Sequence, residues 1–202
     1  MMDKKIVFSP CFAMLVLALL LSGCAGTVKN MQTVPLDRVV TAPEEGKSRI
    51  VFMRPSGIGY AIQSSVFEIK GDNPSLIGIV AAKKKLSYSL EPGKHLFMVV
   101  GESADFMSAE LKANKTYYAL VTPRMGVWKA RFSLKPIHSD ELSSSQFKEW
   151  QKSGEWVEKS PASDNWANAN MSSIQSKYKK YYAKWMSKGL AERPKLWPQD
   201  GR

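Results

Sequence analysis

Residues 86–100, LSYSLEPGKHLFMVV, decide the fold of this chain. Their first part, Leu86–Leu90, alternates apolar residues with serines, which is the period of a β-strand that buries one face. At the Pro92–Gly93 step, proline presets φ at the second position of a turn, and glycine supplies the positive φ that a type II turn requires at the third. An apolar run from His95 to Val100 follows at once. The stretch therefore predicts two strands joined by a tight turn.

On both sides of this stretch the chain consists of short β-rich runs broken by turn residues, which is typical of an all-β sandwich or barrel. We predict eight strands, at 49–54, 62–70, 76–80, 86–91, 95–100, 107–111, 116–121 and 128–135. Because no helical crossover lies between them, antiparallel pairing is expected. Two of these strands, 95–100 and 116–121, are apolar on both faces. A sandwich sheet has only one core face, so another element must cover the second face.

After Pro136 the pattern becomes helical. A capping box of Ser143 and Gln146 predicts a short helix that ends by Gly154. A loop is expected at 161–165. The predicted architecture is therefore a mainly β, antiparallel sandwich with a C-terminal α-helical extension.

A second helix, Met171–Lys188, is predicted from an apolar stripe at helical spacing, and Gly189 is placed as its left-handed cap. The stripe consists of Met171, Ile174, Tyr178, Tyr181 and Trp185. We expect this stripe to cover one sheet of the sandwich. In the alternative, Tyr178, Tyr181 and Trp185 lie at an interface while lysines of the same helix contact phosphates.

Two groups of basic residues are candidate contacts for anionic ligands. The helix supplies Lys177, Lys180 and Lys184, and the strand 128–135 supplies Lys129, Arg131 and Lys135. In the alternative interpretation the helix lysines are only solvated. In the alternative interpretation of the strand 128–135, its lysines serve to prevent edge-to-edge association with other strands.

The first 24 residues have the composition of an export signal. Lys4 and Lys5 form a basic head, an unbroken apolar run covers 13–21, and small residues precede Cys24. The run is too short to span about 30 Å of hydrocarbon, which needs about 20 helical residues. The segment therefore predicts a signal that is removed, rather than a membrane helix.

Leu21–Ser22–Gly23–Cys24 resembles the lipobox of bacterial lipoproteins. The resemblance implies cleavage before Cys24, a diacylglycerol on its sulfur and an N-acyl chain such as palmitate, so that the acyl chains hold the protein on a membrane. By the sorting rule of enterobacterial lipoproteins, Ala25 implies the outer membrane, with the domain in the periplasm. Residues 24–47 lack sustained periodicity and are predicted to be a tether, about 25–30 Å long as a coil.

Three stretches, RIVFMRPS (49–56), EPGKH (91–95) and NKTYYALV (114–121), are similar to a family of uncharacterised bacterial envelope lipoprotein domains. The similarity covers Lys47–Leu134 and implies a prealbumin-like or immunoglobulin-like sandwich in the cell envelope, but no reaction. The chain is thus divided into a signal peptide (1–23), a lipidated N-terminus and tether (24–47), a β-sandwich (48–136), and a helical extension with a polar tail (137–202).

Charge and cysteine content narrow the function classes. The chain of 202 residues has a formal charge of +11, which falls to +10 when Asp3, Lys4 and Lys5 leave with the signal. A basic envelope protein is attracted to lipid phosphates and anionic polymers, although the charge could also serve only solubility. An exported protein meets little nucleic acid. Cys11 leaves with the signal and Cys24 is acylated, so the mature domain has no thiol for a disulfide or a structural zinc site.

No phosphate loop, H-E-x-x-H or EF-hand spacing is present. A triad of Ser103, Asp105 and His95 can be drawn, but no G-x-S-x-G motif supports it. We therefore predict a lipid-anchored envelope protein without catalytic residues, metal or cofactor, which binds a protein partner or an anionic envelope polymer. The alternatives are an envelope hydrolase that uses His95 or His138, and an accessory subunit of a larger envelope machine.

Overall fold

The computed structural model describes residues 28–124 and 131–202, which contain eleven strands and two α-helices. The strands are β1 (Met31–Thr33), β2 (Ser48–Arg54), β3 (Ser64–Lys70), β4 (Asn73–Val80), β5 (Lys84–Leu90), β6 (Gly93–Val100), β7 (Ala104–Leu111), β8 (Thr116–Arg124), β9 (Arg131–Pro136), β10 (Glu155–Lys159) and β11 (Lys195–Leu196). The helices are α1 (Ser145–Lys152) and α2 (Pro161–Met186). The signal segment and the start of the predicted strand 128–135 lie outside the described residues.

The strands form two packed sheets, so the mainly β, sandwich-like prediction is confirmed. The six-stranded sheet has the order β1-β10-β5-β2-β8-β9, and the five-stranded sheet has the order β11-β7-β6-β3-β4. Between them lies a core in which Phe52 of one sheet meets Phe97 of the other edge to face, with ring centroids 5.4 Å apart. Such a pair adds about 0.5–1.5 kcal/mol to the burial of the two rings.

The expectation of purely antiparallel pairing is wrong, because β2 and β8, β5 and β10, and β7 and β11 are parallel pairs. A parallel pair needs a long crossover connection, which is usually a helix. Between β2 and β8 the chain instead passes through β3 and β4 of the opposite sheet, returns to β5 beside β2, and then passes through β6 and β7 of the opposite sheet. That sheet takes the place of the crossover helix, and both sheets are mixed.

The predicted turn at Pro92–Gly93 has the positive φ expected of it, since φ of Gly93 is +134°. Its strands are not a hairpin, however. β5 pairs with β2 and β10 in the six-stranded sheet, whereas β6 pairs with β3 and β7 in the five-stranded sheet. The turn carries the chain across the sandwich, so the apolar faces of β5 and β6 meet in the core instead of lying side by side.

Both strands that are apolar on two faces are covered, each by a different helix. Ala167, Ile174, Tyr178 and Trp185 of α2 pack on the outer face of the five-stranded sheet. This confirms the prediction that the aromatic stripe covers a sheet. On the six-stranded sheet, Phe147 of α1 packs edge to face on Tyr118 of β8, with centroids 4.9 Å apart.

The helix ends differ from the predicted ones. The loop expected at 161–165 is the first turn of α2. Pro161 occupies the first helical position, where its fixed φ suits a helix and its missing N–H is not needed. Gly189 has φ −57° instead of a left-handed φ, and Ser187 is the C-cap. In α1 the N-cap is Ser144 and not Ser143, since its hydroxyl accepts a hydrogen bond from the backbone N–H of Phe147.

The segment after residue 136 completes both sheets as well as covering them. β10 lies between β1 and β5, and β11 lies beside β7. The described part of the predicted tether also belongs to the sandwich, because β1 pairs with β10 and the side chains of Val28 and Met31 are buried in its core. Burial of Val28 and Met31 in the core explains why this segment joins the sandwich. The stretch 28–33 is too short to show a strand period in the sequence.

Among the helices of the described residues, none has an apolar segment of membrane-spanning length.

Candidate functional site

The predicted basic contacts lie in different surroundings. Lys129, like Cys24, lies outside the described residues. Arg131 is exposed at the start of β9, and the Nζ of Lys135 lies 3.0 Å from a carboxylate oxygen of Glu141. The exposed ammonium of Lys135 is therefore already paired, while Arg131 remains available to solvent.

The three candidate lysines of α2 divide in the same way. Lys177 donates a hydrogen bond of 2.6 Å to the carbonyl of Gly101 and so ties the helix to the β6–β7 turn. Lys180 and Lys184 are exposed, and their Nζ atoms lie 5.7 and 5.9 Å from the ring centroid of Tyr181. These two lysines and the half-buried Tyr181 form a small basic group on the outer side of the helix.

The other two candidate aromatics belong to the core. Tyr178 and Trp185 are each 5% exposed. The Tyr178 hydroxyl donates to Asp72 at 3.2 Å, and both rings pack on Phe106. Burial first, and then the hydrogen bond and charge of Asp72, raise the pKa of Tyr178. These two side chains therefore fix the helix to the sheet.

His95 belongs to a hydrogen-bonded cluster that joins the two sheets. Its Nδ1 lies 2.7 Å from Oε1 of Glu68, and the hydroxyl of Tyr88 donates to Oε2 of the same carboxylate at 2.7 Å. Glu68 is 4% exposed. Tyr88 comes from β5, whereas Glu68 and His95 come from β3 and β6, so the cluster links the sheets near the Pro92–Gly93 turn.

The pKa values in this cluster indicate an ionised carboxylate. Burial acts to raise the pKa of Glu68, but the hydrogen bonds from His95 and Tyr88, together with the Lys70 ammonium, outweigh burial and lower the pKa to about 2. Burial and the neighbouring Glu68 raise the pKa of Tyr88 above its ordinary value. Tyr88 therefore stays a neutral donor and Glu68 a charged acceptor.

The cluster does not have the geometry of a catalytic base. Nε2 of His95 lies 2.9 Å from the carbonyl oxygen of Glu91, and a carbonyl only accepts. Both ring nitrogens are therefore occupied. The Ser103–Asp105–His95 triad is not formed, because Asp105 lies opposite Val99 and His95 opposite Ala109 in the β6–β7 pair. Four strand residues, or about 13 Å, separate the two positions.

A second site, which we call the C-terminal cleft, lies between the end of α2, the tail and β7. Its volume is about 690 Å³. It is lined by Ser108, Pro136, His138, Trp185, Leu190, Ala191, Arg193, Pro194, Lys195 and Trp197. No acidic residue is among them, whereas two are cationic and two are tryptophans. The cleft is therefore a cationic and aromatic surface.

His138 is held at the edge of this cleft by a buried carboxylate. Its Nδ1 lies 3.0 Å from Oδ2 of Asp200, which is 2% exposed. The same carboxylate accepts from the backbone N–H of Ser139 at 3.1 Å and of Trp197 at 2.7 Å. Because Asp200 binds both the imidazole and the backbone of Trp197 within the tail, it holds the wall of the cleft in place.

The cations of the cleft lie against its tryptophans. The guanidinium carbon of Arg193 is 5.3 Å from the ring of Trp185, and Nζ of Lys195 is 3.6 Å from the ring of Trp197. Arg193 also donates to the carbonyls of Met186 and Lys188, at 2.8 and 3.0 Å. Cation–π contacts of this kind hold long basic side chains in place. They leave Trp197, which is 44% exposed, as a flat face beside a positive charge. The ammonium of Lys195 also lies 3.6 Å from a carboxylate oxygen of Glu110, outside the cleft lining, so Arg193 is the cation of the cleft without an acidic partner among the described residues.

Sequence reasoning placed Arg193, Lys195 and Trp197 in a polar tail and missed their role in the cleft. The signal available was the mixture of basic and aromatic residues in RPKLW, residues 193–197. Nothing in that stretch shows that β11 docks it against β7. The predicted His138 does reach the cleft, but only because Asp200 brings the tail to it.

No protein-family model matches this chain, and no curated protein does. Within residues 28–124 and 131–202, no group of three or more His, Cys, Asp or Glu side chains has the arrangement of a metal site. The chemistry of the C-terminal cleft is therefore argued from its own side chains.

Proposed function

We propose that this protein is a lipid-anchored cell-envelope protein that binds an anionic envelope polymer through the C-terminal cleft, without catalysing a reaction. We further propose that its sandwich is of the prealbumin-like or immunoglobulin-like type. The support for this assignment is that β2–β9 form eight strands in two sheets within residues 48–136. That size suits a sandwich of about 100 residues.

The observation that carries the binding proposal is the pairing of Arg193 and Lys195 with two tryptophans in a cleft lined by no acidic residue. Phosphate and carboxylate groups on a glycan supply the anions that arginine and lysine bind. The apolar C–H faces of sugar rings pack on aromatic rings such as that of Trp197. A charged saccharide of the cell envelope offers both features together, whereas a neutral glycan offers only the second.

The anchor proposal rests on Leu21–Ser22–Gly23–Cys24, with acyl chains on Cys24. Val28 is buried against the sandwich, and the four residue steps from Cys24 to Val28 span at most about 14 Å. An acylated Cys24 would therefore hold this end of the sandwich close to the bilayer, in place of the 25–30 Å expected for a free tether. Each buried methylene adds about 0.8 kcal/mol, so two or three chains give lasting attachment.

The test is binding of the purified protein to the core oligosaccharide of lipopolysaccharide, freed of its lipid so that the acyl anchor contributes nothing. We expect calorimetry to detect binding that weakens with salt. Lys195→Gln combined with Trp197→Ala should lower the affinity about tenfold or more, while the control Lys148→Gln, at an exposed site on α1, should not. Equal binding by the two variants, or equal binding of a neutral dextran, would contradict the proposal.

One observation favours the hydrolase alternative, namely that His138, oriented by Asp200, lines the same cleft as Ser108. The Ser108 hydroxyl is directed at the carbonyl of Pro194, at a marginal 3.5 Å. If this were a catalytic pair, His138→Gln should abolish turnover of an ester or glycan substrate and leave its binding intact. A protein that binds the core oligosaccharide and releases no product, with or without His138, contradicts the alternative.

The accessory-subunit alternative has a separate observation in its favour. Met186 and Leu190, at the end of α2, are 44% and 82% exposed. Exposed apolar side chains close together in sequence are candidate contacts for another protein. Crosslinking from Leu190 in intact envelopes would test it, and crosslinks to polysaccharide without any to protein would contradict it.

A further inference from the structure

A second cavity lies under residues 34–44, a segment that we call the N-terminal strap. The strap passes over the outer face of the six-stranded sheet and forms one side of a partly open cavity of about 210 Å³. Arg49 of β2 and Ser87 of β5 form its floor, and Trp156 of β10 forms one wall. This cavity is separate from the C-terminal cleft and shares no lining residue with it.

Arg49 is a buried cation without a partner acid. Arg49 is 4% exposed, and no carboxylate of the described residues lies within 4.0 Å of its guanidinium. Nε donates to the Ser87 hydroxyl at 2.7 Å, and Nη1 donates to the carbonyl of Thr41 at 2.8 Å. A guanidinium has five N–H donors. Three of them therefore have no acceptor among the described residues.

Arg54, five residues further along β2, shows what a purely structural arginine does in this fold. It is fully buried, and its two Nη atoms donate to the carbonyls of Ile58, Gly59 and Ile62 at 2.6–2.9 Å. Backbone carbonyls of one loop thus occupy both of its Nη atoms, although its Nε is buried without an acceptor among the described residues. Arg49 has a single backbone acceptor, Thr41, and the rest of its fork faces the space under the strap.

The other charges of the cavity lie on its rim and limit the ligand. They are Arg38 and Glu44, which are exposed, and Glu158, which accepts a hydrogen bond of 2.8 Å from Gln32. Two rim carboxylates against one rim cation disfavour a doubly charged phosphate. A single negative charge on Arg49 is compatible with them.

The remaining walls are mainly apolar and are supplied by Val34, Val39, Pro43, Trp156 and Val157. The guanidinium carbon of Arg49 lies 5.5 Å from the Trp156 ring, so charge and apolar wall adjoin. The cavity is smaller than the roughly 300–1,000 Å³ of sites for drug-sized ligands. It suits a molecule with one charged group and a short apolar part.

We propose that this cavity binds a small monocarboxylate, with the carboxylate on the free N–H groups of Arg49 and the apolar part between the N-terminal strap and Trp156. The planar fork of an arginine matches a carboxylate with two parallel hydrogen bonds. A ligand in this position would also bridge the strap to the sheet, because Arg49 already holds Thr41.

The test uses the full-length protein in detergent and three probes, butyrate, hexanoate and benzoate, with benzamide as the neutral counterpart of benzoate. We expect at least one carboxylate to bind saturably and to shift the Arg49 Nε–H signal in NMR spectra. Benzamide should bind about tenfold more weakly or not at all, because it lacks the charge-assisted pair. Failure of all three carboxylates to bind, or equal binding of benzoate and benzamide, overturns the proposal.

Two variants locate the site. Arg49→Lys keeps the charge but removes the fork and should weaken binding about tenfold, whereas Lys148→Gln, at an exposed site on α1 outside the cavity lining, should leave it within about twofold. If circular dichroism shows that Arg49→Lys is unfolded, Val39→Trp decides, because it fills the cavity and leaves Arg49 in place. Carboxylate binding that Val39→Trp or a folded Arg49→Lys does not weaken overturns the assignment.

Discussion

Replacing Trp185 with alanine tests whether α2 is an integral part of the folded sandwich. The side chain is 5% exposed, and its ring centroid lies 6.0 Å from those of Phe106 and Tyr182. Truncating a buried tryptophan costs about 3–5 kcal/mol. One effect opposes this loss: the indole N–H is buried without an acceptor among the described residues. Removing such a donor returns about 1–3 kcal/mol. Subtracting the middle of this range, about 2 kcal/mol, from a central cost of about 4 kcal/mol gives an expected net loss of about 2 kcal/mol.

The assay is urea unfolding of the full chain followed by far-UV circular dichroism, since six tryptophans make fluorescence ambiguous. Trp185→Phe separates the two effects, because it keeps an aromatic ring and removes the unsatisfied donor. Phenylalanine is smaller than tryptophan and leaves a partial cavity, so the loss of unfolding free energy in this variant should be clearly smaller than that of Trp185→Ala but not zero. The matched surface control is Trp197→Ala, at a residue 44% exposed, which should lose less than about 1 kcal/mol.

If Trp185→Ala loses less than about 0.5 kcal/mol, the usual scale of surface changes, α2 is not held on the sandwich by this side chain. A loss no larger than that of Trp197→Ala has the same meaning. In either case the aromatic stripe of α2 would not hold the helix on Phe106. The alternative, in which the helix is a binding element, would then be favoured.

Three further predictions concern the turn, the inter-sheet cluster and the anchor. Gly93→Val should lower the unfolding free energy by more than about 1 kcal/mol, because φ of +134° strains any residue with a Cβ; an unchanged melting temperature would contradict this. Glu68 has a folded pKa of about 2 against an ordinary 4.5, so its contribution, at most about 3 kcal/mol, is present above pH 4.5 and lost as the pH falls toward 2. Acid titration of Glu68→Gln should lack this loss, and a profile equal to that of the unsubstituted protein would disprove the effect. Cys24→Ser should leave an unprocessed precursor without diacylglycerol, and mass spectrometry that finds normal maturation would exclude acylation at this residue.

The hydrogen-bonded cluster of Glu68, Tyr88 and His95 also explains the role of Tyr88, which the strand pattern alone leaves open. Tyr88 alternates with serines on β5 and was expected simply to face the core, like Leu86 and Leu90. Its hydroxyl instead reaches the Glu68 carboxylate of the opposite sheet at 2.7 Å. A buried carboxylate without such donors would be costly. The polar contacts of Tyr88 and His95 are what permit Glu68 to lie within the sandwich.

Local pattern was sufficient for the eight central strands and for most of α2, but not for β1, β10, β11 or the first turn of α2. The alternation at Leu86–Leu90, the Pro92–Gly93 turn and the apolar stripe of Tyr178 and Trp185 each depend on side chains a few residues apart. Their periods of two and of about three and a half residues reflect backbone geometry, which does not depend on the rest of the chain. The eight central strands and the covering helix were therefore predictable.

Which elements meet was decided only by the tertiary structure. The strands on either side of Pro92–Gly93 entered different sheets, and β10 and β11, each too short to show a period, joined strands far away in sequence. Such pairings depend on how all apolar faces can be buried at once, and a local window does not contain that information. The C-terminal cleft and the cavity at Arg49 are products of the same long-range contacts. Asp200 brings the tail to His138, and Thr41 brings the N-terminal strap to Arg49, so the amino-acid types were visible in the sequence but their neighbours were not.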